Sequence, residues 1–299
     1  MNQFVAKPSP ADASVGFARL AERLREVSHN DSLAGFTAKH LKVACRFWWG
    51  RYLPITLSTP RLASRYTRKY LALSADLIER RTIFVHHYRL LLTGFSDAFI
   101  SDLSRNEVCL WEHAGENDRY AITMGLDRSM HGEGDLVMYF RHEGKVLFDL
   151  SFTIAPAQFT QGSGESTLLI ARVQGRPDMF EEIRRATKAC GDIFPGQLLL
   201  SAAEGVARAL SISSLCGVRG EEQLSSRWGG GRFNYDVFWS DHHGERRGSW
   251  YCMSVPLPHK PLAEVSATHR RRAKRKRLFK DALSDRVKAS IAAGLRPAR

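Results

Sequence analysis

The chain has 299 residues, 43% hydrophobic and 25% charged, which is ordinary globular composition with ample apolar material for a core. Its net charge of +13 is unevenly placed: ten of those charges fall between Arg270 and Arg299, so the body is close to neutral and carries no general nucleic-acid-binding signature. No apolar run approaches the roughly 18 residues of a bilayer span, the opening MNQFVAKPSPADAS has no apolar stretch of a secretory signal, and the five cysteines are scattered without a CxxC pair. These features predict a cytoplasmic protein with reduced thiols, and neither a disulfide framework nor a zinc site.

Residues 1–10 read as a disordered leader, followed by a helical region over 11–105. Phe17, Leu20, Leu24 and Val27 recur at helical spacing, and a second apolar face runs from Leu33 to Trp48. Thr59-Pro60 is a helix start, predicted to continue through Tyr66 and Tyr70. A longer helix is expected from Ala75 to Leu103, interrupted near Gly94.

The pattern changes over 106–260, a mixed sheet region. Glu107–Glu112, Arg119–Gly125, Asp135–Arg141 and Val146–Ile154 read as antiparallel strands, and TLLIARVQG (Thr167–Gly175) as the next. Helices are expected at Met179–Cys190 and Gly196–Leu210, then strands at SSLCGVR, FNYDVFWS and SWYCMSVPL. The long crossover between Leu168–Val173 and Ser213–Val218 predicts a parallel pair. A basic helix and tail occupy 261–299, the helix starting near Leu262. The predicted class is α+β: a helical N-terminal layer, then a mixed, mostly antiparallel sheet with one helical crossover.

Several of these segments, in order, resemble the VirK/YbjX family of Gram-negative bacteria: HHYRLLLTGF, LFDLSFTI, LLIARVQGRPD, ATKACGDIFPGQLLL, SLCGVRG, FNYDVFWSDHHGE and SVPLPHKPLAEVSATHRRRAKRKRLFKDAL. The resemblance covers roughly residues 35–288. It implies a role in stress response, virulence and outer-membrane or lipid A maintenance, and no known catalytic residue. The chain departs from the family pattern at Ile193-Phe194-Pro195-Gly196 and at Gly220–Leu224, which puts in doubt any ligand site the family has there.

Gln174, Gly175 and Arg176 end a strand and open helices, a corner able to bind phosphate. The segment from Gly191 through Pro195, Gly196 and Glu204 to Ala209 resembles the helix after the pyrophosphate loop of GNAT acyltransferases, with SSLCGV as the following strand. That likeness implies acyl-CoA as cofactor, held at Gln174, Gly175, Arg176, Pro195 and Gly196; an extra helix and the missing glycine-rich loop are departures. Without it, no cofactor is expected and the corner is a structural turn capped by Gly and Pro. Tyr235, Asp236 and Glu204 are the candidate catalytic side chains. In a strand, Tyr235 shares a face with Val237 and Trp239 while Asp236 points the other way, so a core strand with one solvated aspartate is the plainer expectation. The pairs His86-His87 and His242-His243 make no metal site unaided, and Gly229-Gly230-Gly231 and QGSGES read as hairpin loops.

The strongest physical signal is the run Arg270, Arg271, Arg272, Lys274, Arg275, Lys276 and Arg277. It lies at a helix N-terminus, where the dipole disfavours cations, and it precedes an apolar stripe of Phe279, Leu283, Val287 and Ile291. The expected partner is an anionic membrane surface met from the cytoplasmic side of the inner membrane, or another polyanion. Nucleic acid is the alternative.

Overall fold

The computed structural model describes residue 55 and residues 62–115, 118–129, 131–162, 164–228 and 233–297, all in the unit Arg51–Arg299. The helices expected over 11–48, the Thr59-Pro60 start and the Gly229–Gly231 loop lie outside these residues. The first described element is a 3-10 turn, Leu62–Thr67. It replaces the helix expected through Tyr70, because Tyr70 and Leu71 turn away to bond the loop ahead of the third strand, Leu71 donating to the Gly132 carbonyl at 2.8 Å.

Helix α1 (Leu77–Gly94) starts at a capping box in which the Asp76 side chain accepts from the Glu79 amide and Glu79 returns the contact. It stops at Phe95, which is extended, and α2 (Asp97–Arg105) restarts on a Ser96 cap. The break near Gly94 is therefore where the sequence placed it.

Eight strands form one sheet in the order β1-β2-β3-β4-β5-β6-β8-β7: β1 Val108–Ala114, β2 Arg119–Leu126, β3 Leu136–His142, β4 Lys145–Pro156, β5 Ser166–Gly175, β6 Ser214–Val218, β7 Glu245–Arg247 and β8 Trp250–Ser254. The first five are an antiparallel meander. The crossover α3 (Phe180–Ala189) and α4 (Pro195–Ala209) then brings β6 parallel to β5, as its length requires. The register separates two faces. Met124, Met138, Leu150 and Val173 align across β2–β5 and are buried. The neighbouring row is Thr123, Tyr139, Asp149 and Gln174. Helix α4 covers the apolar face, with Phe194 at its N-cap meeting Phe148 edge-on at 5.0 Å.

Two expectations are corrected. FNYDVFWS is not a strand: Tyr235–Asp241 is a short helix, α5. A run this short fits either period, and the cap decides, since the Asn234 side chain accepts the Val237 amide at 3.1 Å. Tyr235, Phe238 and Trp239 become the buried face, and Trp239 lies over Gly217 of β6, where a side chain would overlap the indole. The thiols are not all free either. Cys216 and Cys252 stand opposite each other across β6 and β8 with Cα atoms 4.2 Å apart and are joined as a disulfide, leaving Cys109 and Cys190 free among the described residues. A separation of 36 residues hides such a pairing from spacing rules.

The last helix, α6 (Arg270–Gly294), begins eight residues later than expected, after 3-10 turns at Leu262–Glu264 and Ala267–His269. Leu283, Val287 and Ile291 are buried and Phe279 packs edge-on to Trp111, so the apolar stripe docks on the body. The helix lies close against α4 at Gly205, where an added Cβ would stand 2.5 Å from the Ser284 carbonyl oxygen. Losing these three side chains removes roughly 5–8 kcal/mol of burial, comparable with a domain's whole stability of about 5–15 kcal/mol. A chain ending at Arg277 is therefore expected to show no cooperative urea transition, and Ile291→Ala to cost about 2–5 kcal/mol. A normal transition in the truncated chain would make α6 dispensable to the fold.

Candidate functional site

The polar face of the sheet holds the chemistry. Alternation along β4 places Asp149, Ser151 and Thr153 on that side, and β5 adds Arg172 opposite Ser151. The loop from β2 to β3 closes over it. Gly134, at φ +150°, lies so near β4 that a Cβ would stand 2.7 Å from the Phe152 amide nitrogen, which brings Glu133 and Asp135 inside.

Asp135 is fully buried and has four side-chain partners: the hydroxyls of Tyr70, Tyr88 (3.1 Å) and Thr153 (2.8 Å) donate to it, and the Arg65 guanidinium stands 3.4 Å away. Arg65 also donates to the carbonyls of Asp127, Ser129 (2.9 Å) and Gly134 (2.7 Å). Burial, with Asp135 beside them, pushes Tyr70 and Tyr88 well above the ordinary phenol range, so both remain donors. His87 completes this end. Its Nδ1 accepts the Ile154 amide at 3.1 Å, which places the ring proton on Nε2.

A second centre forms around Arg172. Its Nε donates to Asp149 at 2.7 Å and its Nη1 to Glu133 at 3.1 Å, while Arg176 approaches the other Asp149 oxygen at 3.4 Å. Burial opposes the charge on Arg172, but Asp149, Asp127 and Glu133 outweigh it and raise its pKa. Burial raises Asp149 against the pull of Arg172 and Arg176. The Asp127 side chain accepts the Ser129 amide at 2.7 Å through Oδ1. His87 Nε2, Asp127 Oδ2, Glu133 Oε1, Ser129 Oγ and Ser151 Oγ are buried without a hydrogen-bond partner among the described residues.

Beside this centre β5 outruns β6. They pair from Leu168 to Ile170 and β6 ends at Val218; beyond that the buried edge of β5 is satisfied by side chains. Gln223 donates to the Ala171 carbonyl at 2.5 Å, and Tyr235 accepts the Val173 amide at 3.2 Å. Burial and nearby Glu133 push the Tyr235 phenol upward. The strand correction thus moves Tyr235 into the site. Asp236 lies outside it, accepting the Gly220 amide at 3.2 Å.

The other sequence candidates are dispersed. Gln174 and Gly175 pair with Asp149 and Phe148 in the β4 ladder, and a Cβ on Gly175 would stand 2.8 Å from the Phe148 ring. The Arg176 amide donates to the Leu147 carbonyl at 2.9 Å. Pro195 and Gly196 are buried beneath Phe194 and Phe148. Glu204 lies away from the polar layer, accepting the Leu257 amide at 3.3 Å in a small recess with His242, His259 and Lys280; burial raises its pKa. A larger cavity of about 480 Å³ opens near Gly164–Ser166 and Ser211–Ser213 and holds none of the candidates.

The basic run is the surface counterpart. Arg270, Arg271, Arg272, Lys274 and Arg275 are exposed on the first turns of α6, which has no side-chain cap and no acid in its first turn. Asp192 is the one carboxyl paired with the run among the described residues, 3.2 Å from Arg272 and 3.7 Å from Arg275. Lys276 and Arg277 donate to the carbonyls of Asp192 and Lys260, and Arg270 to that of Val265 at 2.9 Å. Leu278, 60% exposed, sits one turn on from Lys274 and Arg275. Among the described residues no His, Cys, Asp and Glu group is arranged for a metal, and no helix is long and apolar enough to cross a membrane.

A family described as "Protein of unknown function (DUF535)" matches residues 45–292. The chain is 28% identical over 254 residues to the "Uncharacterized protein YbjX" of Escherichia coli (strain K12), covering 80% of this chain and 74% of that protein. No solved structure matches.

The polar layer predicts an acid response. Burial holds His87 at about 4, against the opposing pull of Asp135. The unfolded chain takes up a proton near pH 6.5 that the native imidazole refuses, so stability falls as pH drops from about 6.5 towards 4. The loss is about 2 kcal/mol by pH ~5. Urea midpoints at pH ~7.5 and ~5 should separate more for the parent than for His87→Gln, whose amide oxygen can still accept from Ile154. Equal shifts would show that His87 does not govern the acid limb.

Proposed function

Because the chain belongs to the DUF535 family, the group that includes the VirK/YbjX proteins, we propose that it supports the Gram-negative envelope from the cytoplasmic side, working at the anionic surface of the inner membrane. One observation carries the reading: five cations of the run on α6 are exposed, with a single carboxylate paired to the run among the described residues and an exposed Leu278 beside it. Arg271 and Lys274 have no partner among the described residues. An anion there relieves both like-charge repulsion and the unfavourable helix dipole, and Leu278 adds an apolar contact that a lipid interface accepts and a phosphate backbone does not reward. The near-neutral body disfavours nucleic acid.

Each basic side chain near an anionic surface contributes about 1 kcal/mol, so changing Arg270, Arg271, Arg272, Arg275 and Arg277 to Gln should weaken binding on the order of a thousandfold. Exposed ion pairs contribute only about 0–1 kcal/mol, so Tm should stay nearly unchanged. Co-sedimentation with phosphatidylglycerol vesicles at low and high salt, against pure phosphatidylcholine, checks this. No binding to anionic vesicles at low salt would sink the membrane reading, and tighter binding to duplex DNA would replace it. A variant that melts several degrees earlier would mean that the run stabilises the fold instead.

A second reading is acyl transfer from acyl-CoA to an envelope precursor. It is supported by the stretch of β5 beyond the end of β6, where Tyr235 rather than a strand meets the Val173 amide. There an acceptor nucleophile attacks the thioester carbonyl, the carbon–sulfur bond breaks, the phenol proton goes to the departing thiolate, and the phenolate takes the proton that the acceptor loses. Gln223 occupies the edge that such a donor would use, so Gln223→Ala should tighten acetyl-CoA binding measured by calorimetry. Absence of heat with both parent and variant would remove this reading.

A further inference from the structure

The buried layer contains more carboxylate charge than its own buried guanidiniums balance. Asp127, Glu133, Asp135 and Asp149 face two buried guanidiniums, Arg65 and Arg172. Arg65 and three hydroxyls account for Asp135. Arg172 divides itself between Asp149 and Glu133, and Arg176, half exposed, takes the remaining Asp149 oxygen. Asp127 and Glu133 are left with one oxygen each that has no hydrogen-bond partner among the described residues, though the residues are only 2% and 4% exposed. Ser151, wholly buried beside Arg172 in the register, and Ser129, next to Asp127 in the same loop, also have unmet hydroxyls. Arg65 holds the carbonyls of Asp127, Ser129 and Gly134, while Glu133 bonds Arg172 and Ser151 stands opposite it, which gathers these groups at one end of the layer. Leaving such groups unmet is costly, and native proteins seldom tolerate several together.

We propose that Asp127 and Glu133, with Ser151 and Ser129, form a binding site beside Arg172 for a small ligand bearing a protonated primary amine. An ammonium group brings three N–H donors and the positive charge that the layer lacks, and its directional donors suit separate oxygens on the loop and the strand. A divalent cation fits less well, because no three-ligand cluster is arranged for it among the described residues and the Arg172 guanidinium already lies between the carboxyls. A neutral hydroxyl compound supplies donors without the charge. The unmet atoms are out of contact with solvent, so the ligand end that enters is small and becomes enclosed. The site stands apart from the membrane-facing run and needs neither reading of the function.

Calorimetry on the full chain tests this with ethanolamine, with choline as the cation lacking N–H, ethylene glycol as the neutral analogue, and Mg²⁺ as the metal. Saturable millimolar binding of ethanolamine is expected, at least tenfold weaker for choline and absent for ethylene glycol and Mg²⁺. Asp127→Asn and Glu133→Gln, near-isosteric and checked for folding by their urea transitions, should each weaken it tenfold or more. Glu112→Gln, on an exposed edge, should leave it unchanged. A crystal structure grown with ethanolamine should place its nitrogen on Asp127 Oδ2 and Glu133 Oε1. The proposal is overturned if the parent binds none of the amines and those oxygens hold only water. It is also overturned if Mg²⁺ binds in place of ethanolamine, or if both variants bind as the parent does.

Discussion

The carboxyl of Asp135 ties together more of the chain than any other described side chain. Tyr70 precedes α1, Tyr88 lies within it, Arg65 comes from the first 3-10 turn, and Thr153 belongs to the sheet's longest strand. Four segments distant in sequence thus meet on one carboxyl. A buried carboxyl with this many donors is stable only as a complete set; removing one partner strands the rest in a medium where an unpaired polar group is expensive. The β2–β3 loop follows from this anchor. With Asp135 fixed and Gly134 pressed against β4, Glu133 has no route to solvent and must find partners inside.

The sheet consequently has two unlike faces. On one, Met, Leu, Phe and Val side chains pack against α4, and α6 packs against α4 in turn, giving ordinary burial energetics. On the other, tyrosines, arginines and carboxyls replace aliphatic packing. Buried ion pairs rarely stabilise a fold better than apolar side chains of the same size, so a layer this polar is hard to justify by stability. That imbalance, more than any motif, separates the polar face from the rest of the molecule as the place where chemistry resides.

Much of the architecture was legible beforehand. The meander, the crossover and the parallel pair follow from strand punctuation and connection length, and the docked stripe of α6 follows from its four-residue spacing. FNYDVFWS misled because an eight-residue aromatic run satisfies either period, and an asparagine cap rather than the run itself decides. The polar layer was missed for a related reason. LFDLSFTI and LLIARVQG read as apolar core strands, yet Asp149, Ser151 and Thr153 recur at period two within the first, and Arg172 interrupts the second. Polar residues on one side of a central strand were the available signal. Asp127, Glu133 and Asp135 gave none, since their burial depends on how a glycine-bearing loop folds back. Cys216 and Cys252 likewise become neighbours only through strand order.

The close approach of α4 and α6 at Gly205 bears on more than packing. Where a glycine lets one helix lean on another's backbone, neither can roll about its axis without a collision. The amino-terminal turns of α6 are continuous with the part so clamped, and their arginines therefore keep a fixed bearing relative to the sheet. On a planar charged surface, a protein held in this way arrives with one preferred attitude and spends its bound lifetime there. A search made from such a surface shrinks from tumbling in a volume to sliding in a plane.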